Sequence, residues 1–91
     1  MSLEDYSNIN LVNKMSKKLK LGEVYPSNRK NKKYMILNPN TGKFVHFGLL
    51  PYMDYTKHLD KVRRERFRNR NWKWADAEVY SPAYLSYYLL W

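Results

Sequence analysis

The chain has 91 residues, and its 17 Lys+Arg against 8 Asp+Glu leave a formal net charge of +9. That length suits one small domain, and such an excess of one sign repels itself, so a polyanion is the simplest partner: nucleic acid first, an anionic membrane surface second, an acidic protein third. Cysteine is absent, which excludes a disulfide framework, a thiolate nucleophile and a cysteine zinc site.

No apolar run approaches the ~18 residues of a membrane span. The opening MSLEDYSNIN lacks a signal-peptide core, so a protein that is neither secreted nor membrane-bound is expected. The hydrophobic share of 44% leans on nine Tyr, three Phe and three Trp, large rings that suit a small core.

Residues 1–7 read as a loose tail. From about Asn8 to Lys20, Ile9, Val12, Met15 and Leu19 recur at three- and four-residue steps, a helical period, with Gly22 as the stop. Residues 1–22 are therefore taken as a tail and helix ahead of a basic domain over 23–91. EVYPSNRKNKK reads as a loop carrying the cations Arg29, Lys30, Lys32 and Lys33, either a solvated run or a phosphate contact. YMILNPNTGKFVHFG reads as a hairpin, Tyr34 to Leu37 and Phe44 to Phe47, turning through Asn38 to Gly42. Phe44 and His46 share one face and Val45 and Phe47 the other, so both faces are expected to be covered.

DYTKHLDKVRRERFRNRNWKW concentrates the charge. Asp54 or Thr56 can cap one helix running to about Asn69. On it Tyr55, Leu59 and Val62 fall in one sector, expected to pack on the hairpin. Lys57, Lys61, Arg64 and Arg68 fall roughly opposite, expected to face solvent and track phosphates. Arg63, Arg66 and Arg70 flank the apolar stripe, and Lys73 follows. Only Asp60 and Glu65 offset this charge, fewer acids than i, i+4 pairing of a merely solvated face would use. Trp72 and Trp74 are candidates for stacking on a base or for closing the core; one buried and one partly exposed are expected. Ser81-Pro82 is a helix start, opening a short helix rich in Tyr84, Tyr87, Tyr88 and Trp91. The expected architecture is α+β: an N-terminal helix, a β-hairpin against a long basic helix, and a short aromatic closing helix.

Catalytic signatures are missing. His46 and His58 are the two histidines, and the Asp54, His58, Asp60 spacing matches no zinc motif. An Asp54–His58 pair is read as a structural hydrogen bond near a cap. No enzyme activity, cofactor or metal is expected.

Five blocks in order carry a resemblance: Lys33 to Gly48 with its Gly-Lys-x-x-His-Phe-Gly arm, Asp-Tyr-Thr-x-His over 54–58, the Arg-rich helix from Arg63 to Trp72, and Leu-Leu-Trp at 89–91, after a Lys-rich strand. In these the chain resembles the small basic proteins of nucleocytoplasmic large DNA viruses, including giant viruses of amoebae. The resemblance implies a viral protein of the virion interior, viral factory or host nucleus.

The leading expectation is non-enzymatic binding of double-stranded DNA through phosphates with little sequence preference, for genome compaction or action on chromatin. Lys57, Lys61, Arg64 and Arg68 would carry it, supported by Arg63, Arg66, Arg70 and Lys73, with Arg29, Lys30, Lys32 and Lys33 as a second contact. If stripe and loop engage roughly six to eight phosphates, the log–log salt slope is about −5 to −7. The alternatives are a virion interaction module docking through the aromatic C-terminus and, more remotely, a small nuclease. A homodimer through Tyr84, Tyr87, Tyr88 and Trp91 is expected, because one hairpin and one amphipathic helix offer little surface to cover so many rings.

Overall fold

Asn8 begins the first helix: its side-chain oxygen accepts from the amides of Asn10 and Leu11, satisfying donors with no partner inside the helix. In the computed structural model, which describes residues 2–91, α1 spans Ile9–Lys18 and buries Val12 and Ser16. Lys20, at φ 60°, makes the left-handed stop that the sequence suggested for Gly22. The amide of Leu21 reaches back to the carbonyl of Ser16 at 2.9 Å and that of Lys20 to Lys17 at 3.1 Å, closing the helix end. Of the expected tail over residues 1–7, Met1 lies outside the described residues, and residues 2–7 are not loose. Ser7 is buried, its hydroxyl 3.1 Å from that of Thr56, and the Asn8 amide donates to the same threonine at 2.9 Å. With Val12 in the core, the N-terminal segment belongs to the same packed unit as the rest.

Three antiparallel strands follow in the order β1 (Val24–Pro26), β2 (Lys32–Asn38), β3 (Lys43–Leu49). The expected hairpin is β2–β3, with Tyr34 opposite Phe47 and Ile36 opposite Val45. Its turn is as read: the Gly42 amide donates to the Asn38 carbonyl at 2.8 Å, and Gly42 takes φ 73°. β1 extends the sheet inside what the sequence offered as a loop. Asn13 of α1 meets this short edge strand with both ends of its amide, accepting from the Val24 amide at 2.8 Å and donating to its carbonyl at 3.1 Å. Unpaired edge groups are thereby covered.

Val24, Tyr34, Ile36 and Phe47 line the inner face, where they meet Val12, Leu21, Leu85, Leu89 and Leu90. Burial pushes the Tyr34 hydroxyl up to about 12. The outer face is not covered as expected: Tyr25, Leu37 and Phe44 stay exposed there.

Lys33, expected to contact phosphate, is instead 3% exposed, its Nζ 3.0 Å from Oδ2 of the fully buried Asp54. Gly48 accounts for part of this. A Cβ at Gly48 would lie 3.0 Å from Cβ and Cδ of Lys33 and 3.0 Å from Cδ1 of Leu90, so the lysine stem and the leucine close over bare backbone. Gly48 also sits at φ 80°. Gly48→Ala is expected to lower stability by about 1–3 kcal/mol through crowding and backbone strain together. Gly42→Ala, with nothing near its added methyl, is expected to lose only about 1 kcal/mol. Urea unfolding midpoints compare the two; equal losses would show that packing at Gly48 contributes nothing.

The long basic helix is two helices, α2 (Tyr55–His58) and α3 (Lys61–Arg70). Asp54 caps the first. Leu59 breaks the run in the left-handed region at φ 54°, and Asp60 caps the second, accepting from the Val62 and Arg63 amides. After a turn through Trp72–Asp76, Ser81 caps α4 (Pro82–Leu85) with Pro82 at its first position, as read. The chain continues as a single wide π turn over Ser86–Leu90. The result is a small α+β domain, the class expected.

Candidate nucleic-acid interface

The break at Leu59 changes which side of the basic segment meets the protein. Leu59 and Val62, expected to pack on the hairpin, are 57% and 58% exposed. Arg64 and Arg68, expected on the free face, turn inward instead. Arg64 Nε donates to the main-chain oxygen of Trp91 at 2.7 Å and Arg68 Nη2 to the same oxygen at 3.1 Å. Arg64 also lies 4.7 Å from the centre of the Tyr55 ring and Arg68 5.1 Å from that of Tyr87. A guanidinium is planar and weakly hydrated, so it can spend its charge on a carbonyl and an aromatic face rather than on water. Desolvation, reinforced by the neighbouring Arg64, lowers the Arg68 pKa below its usual value. Both guanidinium groups are thus engaged within the protein.

With Arg64 and Arg68 inward, Arg63, Arg66 and Arg70 become the wall of a cleft. Its volume is about 910 Å³, and it opens between α3, the end of the sheet and the C-terminal segment. Lys32 and Leu49 come from the sheet, Tyr52 and Met53 from the connection to α2, Phe67 and Trp74 from α3 and the turn after it, and Pro82, Ser86, Leu90 and Trp91 from the C-terminal side. No acidic residue lines it. Lys33 also reaches the cleft wall, but it is spent on Asp54 in the one ion pair among the described residues, so Lys32, Arg63, Arg66 and Arg70 have no carboxylate partner.

A run of rings holds α3 in place although it buries no residue completely. Phe67 stacks on Trp91 at 4.3 Å and 7°, His58 lies 5.2 Å beyond Trp91, and Trp74 meets Phe67 at 5.8 Å and 76°. His58 is part of this packing. Its Nδ1 accepts the Asp60 amide at 2.9 Å, which joins α2 to α3. Burial first, then Arg63, holds its pKa below the usual histidine value. The expected Asp54–His58 side-chain pair is replaced by separate duties, Asp54 to Lys33 and Thr56, His58 to Asp60. No group of three His, Asp or Glu among the described residues is placed to hold a metal ion, and no helix there is long and apolar enough to cross a membrane.

Of the residues picked from sequence, the structure gathers Lys32, Lys33, Arg63, Arg66, Arg70, Trp74 and Trp91 around one cavity, Lys33 already paired with Asp54. Arg29, Lys30, Lys57, Lys61 and Lys73 are exposed but do not line it. Arg29 and Lys32 lie near His46 and, after desolvation, hold its pKa below the usual value. Neither indole is buried: Trp72 is 62% exposed, with Lys73 Nζ 5.7 Å from its ring, and Trp74 is 37% exposed. The helical turn over Trp72–Asp76 removes the opposite-facing geometry that an extended segment would have given. Tyr84, Tyr87 and Tyr88 are partly buried against one another, and the Tyr88 hydroxyl donates to the Ala75 carbonyl. Tyr52 was not picked from sequence as a binding residue; it sits in the connection after β3, where no periodicity marks it.

The sequence profile of one protein family matches residues 22–71, slightly more than half of the chain. The chain belongs to the DUF5754 family. That family is described as one of unknown function. The DUF5754 match takes in all three strands, α2 and α3. It therefore includes Lys32, Arg63, Arg66 and Arg70 and stops before Trp72, so Trp74 and the C-terminal wall lie outside it. No curated protein and no solved structure matches the chain.

Proposed function

We propose that this DUF5754 protein binds nucleic acid without catalysing a reaction, seating phosphates on Lys32, Arg63, Arg66 and Arg70. The observation that carries this reading is the convergence of these four cations on one cleft that holds no acidic residue. A solvated basic face has no need of a shared concavity, whereas a phosphate backbone is attracted to a cluster of cations left without counter-charges. Arginine adds a fork suited to phosphate oxygens. Exposed Arg29 and Lys30, in the turn before β2, extend positive charge beyond the cleft. Backbone contacts of this kind bring affinity with little sequence preference. The five-block resemblance supports a place for the protein in the virion interior, factory or host nucleus of a large DNA virus.

The test is fluorescence anisotropy with labelled single-stranded DNA, RNA and duplex DNA over a range of salt. Four phosphate contacts give an expected log–log slope of about −3 to −4. That is shallower than the stripe-and-loop expectation, because Lys33, Arg64 and Arg68 are engaged inside the protein. No measurable binding to any of the three, or a slope near zero, would overturn the reading.

A further inference from the structure

Resting on that nucleic-acid reading, we propose that the cleft takes an unstacked base from a single strand, with Trp74 and Tyr52 as its stacking rings and the α3 arginines on the flanking phosphates. Arg63, Arg66 and Arg70 are spaced i, i+3, i+7, about 10 Å along the helix at 1.5 Å per residue. That length serves two or three consecutive phosphates. Behind this rim the cavity is largely apolar, with Leu49 and Leu90 among its walls. A duplex would reach the arginines and leave that volume empty, since its bases are stacked inward and must be flipped out to enter a pocket.

Two large rings line the same space and stay open to water, Trp74 at 37% and Tyr52 at 66% exposure. Trp74 is held against Phe67 before any ligand arrives, so its ring needs no ordering on binding. Base–aromatic stacking tolerates any base, because each offers a flat face. Cations at the rim and rings within an apolar interior match the two parts of a nucleotide in a single strand. The volume of about 910 Å³ lies in the range of small-molecule sites.

The test uses the full chain and four probes of equal length: dT12, rU12, an abasic 12-mer with the same phosphates, and a 12-base-pair duplex. At least one of dT12 and rU12 is expected to bind tenfold or more tighter than the abasic strand and to quench tryptophan fluorescence. Comparing these two shows which sugar is preferred. Trp74→Ala is expected to weaken that binding by about 5- to 150-fold, with affinity for the abasic strand unchanged. Tyr52→Ala, in an exposed connection, gives the same reading should loss of Trp74 disturb Phe67. Equal affinity for the abasic strand and both base-bearing strands, or unchanged binding in both variants, overturns the base site while leaving the phosphate reading intact. No binding to any probe, duplex included, defeats both.

Discussion

Replacing Arg63, Arg66 and Arg70 together by alanine is expected to lower nucleic-acid affinity about 100-fold, roughly 1 kcal/mol for each lost contact, and to leave the protein folded. All three side chains are exposed, and none is tied to another part of the chain by a hydrogen bond or ion pair, so their removal uncovers nothing. The magnitude of the salt slope should fall by about 2–3 as three phosphate contacts disappear. The paired variant, Arg64→Ala with Arg68→Ala, is expected to do the reverse. It removes two charge-assisted bonds to the Trp91 oxygen and two guanidinium–ring contacts, costing about 2–4 kcal/mol of stability. Its folded fraction should bind as the parent does. Anisotropy and urea unfolding on both variants decide the matter; a stable double variant that no longer binds would return the ligand to the face on which Arg64 and Arg68 were first expected.

The largest loss of stability is expected at Asp54. Its carboxylate accepts from Lys33 Nζ at 3.0 Å on one oxygen, and from the amide and hydroxyl of Thr56 on the other. Thr56 in turn binds Ser7 and Asn8, and the Asp54 amide donates to the Tyr6 carbonyl at 3.1 Å. One buried side chain therefore caps α2, balances a buried lysine, and fastens the N-terminal segment to the sheet. Asp54→Ala leaves the lysine charge enclosed without a partner, and about 3–5 kcal/mol is expected to go. That is a large part of the stability of a small domain. Lys33→Met made in the Asp54→Ala background removes the stranded charge and should restore part of the loss. Denaturation midpoints showing less than about 1 kcal/mol for Asp54→Ala, or no recovery in the double variant, would contradict this account.

What could be read directly from the sequence was local chemistry. Asn38 to Gly42 supplies both a turn and a residue suited to positive φ, and Ser81-Pro82 supplies a cap and a fixed first φ; both needed only neighbouring residues. The α1 period was legible because Val12 faces the core in an unbroken helix. The site was only half legible. Its arginines stood out by composition, but the side they face depends on Leu59, a leucine in a region of φ that such residues rarely enter. Asp60, an acid just before a new run of helix formers, was the one local sign of a second cap. Lys33 was misplaced because a basic run looks alike whether it ends in water or in a strand lying over Gly48. The inward Arg64 and Arg68 depend on Trp91, more than twenty positions away, and no periodicity carries that. β1, with three residues, is too short to show a pattern.

The rings around Phe67 have a consequence for motion. Because α3 carries no fully buried residue, its attachment depends on Phe67, on the two bonds to Trp91 and on the His58–Asp60 link. Segments with few buried apolar contacts open at lower free energy than the core they lean on. The arginine wall is thus expected to open ahead of the sheet and α1. A strand seated between α3 and the sheet would be gripped only in the closed arrangement, so binding and the rigidity of α3 rise together.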